Sequence, residues 1–216
     1  GNPDFQSQLG DATIWVVDVS GNSAANTNDN FAVGSGAHDA RVGTSIAQFN
    51  DSSAFVFMAG YNQHGDTSDK LVICQNSGTT QNRSIAFSDA GGVPGSLAVD
   101  SVNGPVYGTY REWSNDEAWV FKLSPFGGSG YSINWAKQIG NSSGSSHLGQ
   151  RGSIKTYDSG NKLLAVVTDL TGADEIHIYS LNTSDGSLNW ERKLSSSGQD
   201  LSCDAIAIDP VDGEYF

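Results

Sequence analysis

The sequence predicts an all-β protein built from a repeated four-stranded unit, and three observations lead to this prediction. The 216 residues include 26 glycines and many serines and asparagines, a composition that favours turns over helices. A short motif of small and apolar residues recurs roughly every 50 residues, as in "SLAVD" at 96–100 and "AIAID" at 205–209. Three β-rich runs follow each complete copy in the same order, with no helical pattern between them.

The recurring motif predicts the first strand of each unit, and the later runs predict the other three strands. The copies of the motif begin at Ser45, Ser96, Ser153 and Ala205. β-branched and aromatic residues dominate the predicted second strands, which are 54–60, 105–110 and 163–168. An acidic residue precedes each predicted third strand, and these strands are 12–19, 71–73, 118–123 and 175–181. Turns containing glycine lead to the predicted fourth strands, which are 31–33, 84–87, 133–139 and 188–194.

Units of four antiparallel strands and about 50 residues are the signature of a β-propeller, because sheets packed around an axis cover each other's faces. The small residues Ala47, Ala98 and Ala207 suit the crowded strand nearest that axis. The predicted units are approximately 1–44 (partial), 45–95, 96–152, 153–204 and 205–216 (partial). The partial units predict a segment of a larger propeller, with a closed ring of four blades as the alternative. In that ring, "DFQSQL" (4–9) and "EYF" (214–216) would compete for one strand position.

Three phrases of the sequence resemble a known family of repeats, namely "SLAVDSVNGPVYGTY", "DEAWVFKLSPFG" and "AIAIDPVDGEYF". They are similar to the bacterial seven-bladed propeller repeats known as SBBP, and this resemblance implies an architecture and a surface location but no activity. The stretch "IYSLNTSDGSLNWERKL" (178–194) is more loosely similar to the repeats of quinoproteins that bind PQQ. Within it, "TSDGSLNW" (183–190) also resembles the Asp-box of sialidases, which is a structural turn.

Composition excludes several classes of partner. The chain carries 24 acidic residues against 11 Lys and Arg, giving a formal charge of −13, which disfavours binding to nucleic acid or to an anionic membrane. Its apolar runs are too short for a membrane span. Cys74 and Cys203 lack the spacing of a zinc site, and we expect both to be small buried side chains. The acidic surface, poor in lysine and rich in serine and asparagine, favours an extracellular or virion location.

Residues that recur in every unit are expected to serve the fold. Asp11, Asp69, Glu117 and Glu175 all precede a third strand, where a carboxylate can accept backbone N–H bonds in a turn. Trp135 and Trp190 occupy equivalent positions in fourth strands, and we expect them to be buried between sheets.

Residues found in one unit only are the candidates for function. In a propeller, the loops between second and third strands share a face with the segments that connect one blade to the next. We predict that this face binds a ligand, with the candidate residues Tyr61, His64, Arg111, Trp113, Asp116, His147 and Arg151. Trp113 in the polar loop "REWSNDE" suits stacking on a sugar or a hot spot for a protein partner. The alternative for Trp113 is packing on its own blade.

The sequence offers no catalytic constellation. His38, His64, His147 and His177 lie in different units, with no nucleophile, metal or phosphate motif nearby. His177 alternates with isoleucines, which predicts a position on one face of a strand. The oxygen-rich stretches 26–30 and 209–213 do not match the spacing of an EF-hand, so neither a metal nor another cofactor is expected.

These observations favour a noncatalytic binding or structural module of a virion appendage, such as a tail fibre, or of a bacterial surface protein. Its partner would be a protein or a glycan, and the module could form part of a larger assembly. The competing hypothesis is a propeller enzyme, either an oxidoreductase of the PQQ type or a glycosidase. An enzyme would require converging carboxylates or a cofactor.

Overall fold

The regular structure of the chain is entirely β-strand in the residues that a computed structural model describes. These residues are 11–18, 25–32, 38–51, 55–63, 69–76, 83–87, 92–101, 103–112, 117–125, 131–140, 146–148, 153–169, 174–199 and 201–209. The prediction of an all-β protein is therefore confirmed over these ranges. The terminal stretches 4–9 and 214–216, which bear on the closure of a ring, lie outside them.

The strands form one hairpin and three larger antiparallel sheets. The hairpin pairs β1 (Asp11–Asp18) with β2 (Ala25–Ala32). Sheet I contains β3 (His38–Gln48), β4 (Phe55–Gln63), β5 (Asp69–Asn76) and β6 (Arg83–Phe87). Sheet II contains β7 (Gly92–Ala98), β8 (Val106–Glu112), β9 (Ala118–Leu123) and β10 (Ile133–Ile139). Sheet III contains β11 (Ser146–Leu148), β12 (Ile154–Tyr157), β13 (Lys162–Asp169), β14 (Glu175–Asn182) and β15 (Leu188–Leu194).

Sheets I and II are meanders in which consecutive strands are neighbours, and sheet III follows the same order from β12 to β15. The second, third and fourth strands predicted for these sheets are confirmed, and each first strand contains all or part of the predicted motif. These first strands begin before the predicted starts, because 38–41 and 92–94 also pair with the second strand across a register shift. In sheet III the first strand is split, so that β11 and β12 both pair with β13.

Two predictions about strand positions are wrong in detail. The strand predicted at 31–33 is β2, which begins at Ala25 and includes the oxygen-rich stretch 26–30. The first strand predicted at 205–209 is limited to a single bridge residue, Ile208. The prediction of small residues in a crowded position holds for Ala98, which is buried, but not for Ala207, which is exposed.

The core between sheets I and II forms because alternate residues of a strand point to the same face. Sheet I contributes Val56, Met58 and Phe49, which follows its first strand. Sheet II contributes Leu97, Val106, Tyr110, Phe121 and Leu123. Gly108 of β8 leaves the space for the Phe121 ring, since a Cβ atom at Gly108 would lie 2.2 Å from the Phe121 Cζ atom.

The opposite face of sheet II packs against sheet III. Sheet II contributes Ala98, Tyr107, Ala118, Val120 and Ile139, and sheet III contributes Ile154, Leu163, Ala165, Val167, Tyr179 and Leu181. Both faces of sheet II are therefore covered, and the three sheets stack in the order of the sequence. The far face of sheet III packs against the segment 203–208, whose Ile206 is buried against Leu164 and Val166.

Buried serines of the repeated motif link the first strands of successive sheets. The Ser45 Oγ atom accepts a hydrogen bond from the Leu97 N–H at 2.9 Å. The Ser96 Oγ atom accepts one from the Ser153 N–H, also at 2.9 Å. Because both serines are buried, each bond satisfies a backbone donor that water does not reach.

Turns of neighbouring sheets are also joined. The Asn50 N–H donates to the Asp100 carbonyl at 2.8 Å, and the Ser101 hydroxyl donates to the Asp51 carboxylate at 2.6 Å. These contacts place the turns between first and second strands of sheets I and II side by side. The ends of their second strands therefore lie together at the opposite edge.

Three expectations about buried side chains need correction. Trp135 and Trp190 are half-buried rather than buried, because each lies in the outermost strand of its sheet. Trp135 still lies between two sheets, since its indole Nε1–H donates to the Thr183 carbonyl of sheet III at 3.2 Å. Cys203 is a free cysteine that is half-buried on the far face of sheet III.

Candidate functional site

We define the strand-end face by the last residues of the second strands and the segments paired with them. The paired ranges are 38–41 with 60–63, 92–94 with 110–112, and 146–148 with 167–169. In each sheet, the segment that arrives from the preceding sheet thus lies beside the end of the second strand. The two sets of segments are therefore neighbours within each sheet.

Three of the seven predicted site residues lie in the described part of this face. Tyr61 lies in β4 opposite Ala40, and His147 lies in β11 opposite Thr168. Arg111 lies in β8 opposite Val93, where it is half-buried. The structure places these three residues in three different sheets. The other four, His64, Trp113, Asp116 and Arg151, lie outside the described residues.

A cluster of polar side chains lies at the strand-end face of sheet III, on the side that packs against sheet II. This polar cluster consists of Asp169, Glu175, His177, Tyr179, Glu191 and Lys193. The register explains its formation, because Asp169 is opposite Glu175, Tyr179 is opposite Glu191, and His177 is opposite Lys193. Directly opposite residues share a face of the sheet, so the six side chains converge.

His177 is the centre of the polar cluster and has 12% of its side chain exposed. Its Nδ1 atom lies 2.7 Å from the Glu191 Oε1 atom and 3.3 Å from the Tyr179 hydroxyl. Its Nε2 atom is buried and makes no hydrogen bond within the described residues. The nearest carboxylate oxygens to Nε2 belong to Glu175, at 3.9 Å, and Asp169, at 4.0 Å. Glu175 also forms an ion pair with Lys193.

Tyr179 connects the polar cluster to sheet II, because its hydroxyl accepts a hydrogen bond from the Gly140 N–H at 3.1 Å. Burial raises the pKa of Tyr179 far above its ordinary value, since a phenolate there would lose its contact with water. The negative charge of Glu191 raises this pKa further. The phenol is therefore neutral at physiological pH and can accept the hydrogen bond from sheet II.

The geometry of the polar cluster fits a structural role better than a catalytic one. A histidine held by a carboxylate can act as a general base when its other nitrogen reaches a substrate. The Nε2 atom of His177 is enclosed by protein instead. Among the described residues, no group of three His, Cys, Asp or Glu side chains is arranged to hold a metal ion.

The sequence predicted the position of His177 on one face of a strand, but not its partners. Glu175 was expected to accept backbone N–H bonds in a turn, whereas its described contacts are with Lys193 and His177. The signal that could have identified the cluster is the spacing of Glu175, His177 and Tyr179. Residues two apart in a strand lie on one face.

The turn that resembles an Asp-box has the structural role expected for it. The Asp185 carboxylate accepts hydrogen bonds from the Ser187 N–H at 3.0 Å and from the Ser187 hydroxyl at 2.7 Å. These bonds hold the pKa of Asp185 below its ordinary value. Gly186 in this turn has a φ of +71°, which favours glycine, and a Cβ atom at this position would lie 2.8 Å from the Trp135 Cε3 atom.

Comparisons with known proteins assign no relationship to the chain: no family model matches it, and no curated protein or solved structure matches it significantly. Within the described ranges, no helix is long and apolar enough to cross a membrane.

Proposed function

We propose that this chain belongs to a β-propeller that serves as a noncatalytic binding or structural module. It would act in a virion appendage, such as a tail fibre, or in a bacterial surface protein. The strand-end face would engage a protein or a glycan. The resemblance to SBBP repeats and the acidic composition support a surface setting for the module.

One observation carries this proposal, namely the stacking of three antiparallel sheets in sequence order, two of four strands and one of five. Sheet II has apolar residues of one neighbouring sheet on each face, and this supports the proposal because an interior propeller blade would be covered in the same way. This stacking gathers the strand-end segments of three sheets at one edge. Recognition residues are commonly carried by connecting segments that a rigid scaffold positions.

The proposal is tested by exposing the 216-residue chain to a printed array of bacterial and animal glycans. We expect a subset to bind, and Trp113→Ala to weaken binding about 30-fold, the loss typical of an interface hot spot. Asn103→Ala is the control, because Asn103 is exposed in the turn at the opposite edge of sheet II. An equal loss in both variants would show that the strand-end face is not the binding surface.

The competing hypothesis of an enzyme is tested on the same purified protein. An oxidoreductase of the PQQ type would show quinone absorbance or activity after addition of PQQ. A glycosidase would release the chromophore from model glycosides. We expect neither signal, and reproducible turnover in either assay would overturn the noncatalytic proposal.

A further inference from the structure

We propose that Asn103 is a modification site, at which the side-chain amide is converted to a carboxylate by spontaneous deamidation. We further infer that the contact between sheets I and II sets the rate of this reaction. Asn103 and Gly104 lie between β7 and β8, at the edge of sheet II opposite the strand-end face. The inference is independent of the proposed function, because neither residue belongs to the strand-end face.

The first argument is the chemistry of the dipeptide. The sequence contains a single Asn-Gly pair, at 103–104. Deamidation begins when the backbone nitrogen of the following residue bonds to the Cγ atom of the asparagine. Glycine hinders this approach least, because it has no Cβ atom and its backbone is conformationally permissive. Asn103 is therefore the asparagine whose sequence favours the reaction most.

The reaction balances with water as the co-reactant and without an oxidant. The Gly104 nitrogen loses its proton to solvent and bonds to the Asn103 Cγ atom, the Cγ–Nδ2 bond breaks, and ammonia leaves. The resulting five-membered imide takes up water at one of its two carbonyl carbons. The ring opens to aspartate or to isoaspartate, in which the main chain runs through the former side chain and gains a methylene group.

The second argument is the accessibility of the side chain. Asn103 is exposed, and its described hydrogen bond uses the backbone N–H and not the side-chain amide. Asn50, Asn182 and Asn189 differ, because each donates a hydrogen bond from its Nδ2 atom to another side chain. The Asn103 amide can therefore rotate toward the Gly104 nitrogen without losing such a bond.

The third argument is that sheet I restrains the reacting nitrogen. The Gly104 N–H donates to the Ser101 carbonyl at 2.8 Å, and the Asn103 N–H donates to the Ser101 hydroxyl at 3.3 Å. The Ser101 hydroxyl in turn donates to the Asp51 carboxylate of the neighbouring turn at 2.6 Å. Ring closure requires the Gly104 nitrogen to leave the Ser101 carbonyl, and Asp51 holds Ser101 in place. Docking of sheet I therefore slows deamidation in sheet II.

The product would weaken the contact that delays its formation. The two turns already hold the carboxylates of Asp51 and Asp100. Deamidation of Asn103 adds a third negative charge, and like charges in proximity repel. Isoaspartate also displaces the Gly104 N–H from the Ser101 carbonyl, because the main chain is longer. We therefore expect the joint between sheets I and II to loosen as the protein ages.

The site is tested by incubating the folded 216-residue chain at mildly alkaline pH, followed by peptide mapping with mass spectrometry. We expect an amide to be converted to a carboxylate in the peptide that contains Asn103, with isoaspartate detected by enzymatic methylation. Asn103→Gln is the control, since glutamine keeps the amide but forms the larger six-membered ring slowly. An unmodified Asn103, or equal conversion at the other asparagines, would overturn the assignment.

The rate is tested with two substitutions of Ser101. Ser101→Ala removes the hydroxyl that bonds Asp51, whereas Ser101→Thr keeps a hydroxyl. We expect Ser101→Ala to deamidate about two- to tenfold faster than the wild type, the rate equivalent of one hydrogen bond, and Ser101→Thr to resemble the wild type.

A synthetic peptide of residues 99–107, "VDSVNGPVY", gives the rate without the fold and should react faster than the folded chain. Circular dichroism checks that Ser101→Ala keeps its β spectrum, and the peptide comparison decides the question if that variant does not fold. Equal rates in the peptide and the folded wild type, or in the wild type and a folded Ser101→Ala, would overturn the role of the contact.

Discussion

The buried serines of the repeated motif show how single residues connect the sheets. Ser45 and Ser96 each accept a backbone N–H bond from the next sheet, and Ser96 itself donates its N–H to the Thr109 hydroxyl. The Thr109 and Ser153 hydroxyls are also 3.3 Å apart. A chain of hydrogen bonds therefore runs through the interior from sheet to sheet.

We expect Ser96→Ala to lower the free energy of unfolding by about 1 to 3 kcal/mol, because the Ser153 N–H would stay buried without an acceptor. Urea denaturation measures this change. Ser132→Ala is the control, since Ser132 is exposed and a surface substitution changes stability by less than about 0.5 kcal/mol. Equal midpoints for Ser96→Ala and the control would argue against the role of the serine.

The second prediction at this scale concerns alkaline pH and Tyr179. A tyrosine in the unfolded chain loses its proton near pH 10, whereas burial raises the pKa of folded Tyr179 well above that value. Above pH 10 the folded state thus binds more protons than the unfolded state. The stability from the neutral phenol is complete below pH 10 and is lost as the pH rises through the folded pKa.

We therefore expect Tyr179→Phe to reduce the loss of stability between pH 8 and pH 11. The variant should be less stable than the wild type at pH 8 by about 0.5 to 1.5 kcal/mol, because the Gly140 N–H loses its acceptor. Urea midpoints at the two pH values give the comparison. If the wild type and Tyr179→Phe lose the same stability between pH 8 and pH 11, ionisation of Tyr179 is not the cause of the loss.

At the scale of strands and turns, the contact of β10 with the turn between β14 and β15 ties sheet II to sheet III. The Thr183 carbonyl accepts from the Trp135 indole and from the Lys122 ammonium, at 3.2 and 2.8 Å. The Thr183 hydroxyl in turn donates to the Gly160 carbonyl. One turn of sheet III is therefore held by two side chains of sheet II.

We expect Trp135→Ala to destabilise the protein by about 2 to 4 kcal/mol, somewhat below the loss for a fully buried tryptophan. Trp190→Ala should lower the free energy of unfolding by less, about 1 to 2 kcal/mol. Trp190 lies on the far face of sheet III, where the segment 203–208 packs, and not between two sheets. Trp135→Phe should recover most of the packing but not the hydrogen bond. Urea denaturation measures both changes. Equal losses of unfolding free energy in the two alanine variants would contradict the expected difference between the two tryptophans.

The positions of most strands could be predicted from the sequence, because runs such as 118–123 and 163–168 are rich in β-branched and aromatic residues. The partners in the polar cluster could not. They depend on the register between β13, β14 and β15, and a shift of one residue would move His177 to the other face. The early start of the first strands was also missed, since 92–94 contains Pro94 and no β-rich pattern.

For the whole molecule, the meander of sheets predicts a circular dichroism spectrum of the β type. We expect less than about 15% helix for the full chain, compared with about 30 to 35% in a typical soluble domain. The described residues are strands and turns, so a larger helical signal would contradict the fold. The binding site is harder to predict from the sequence than the strands are. The candidate residues Trp113 and Arg151 belong to predicted loops, and a strand pattern does not determine the geometry of a loop.

The order of the sheets along the chain bears on how the protein folds during synthesis on the ribosome. Neighbouring strands in sheets I and II are consecutive in sequence, and even the Ser96 to Ser153 bond between sheets II and III joins residues only 57 positions apart. Each sheet can therefore form as soon as its strands emerge and then dock on the sheet made before it. Sheet II would pack on the apolar face of sheet I, and sheet III would then pack on the apolar face of sheet II. Among the described sheets, the exposed apolar face of the growing chain is then the face of the sheet that was made last.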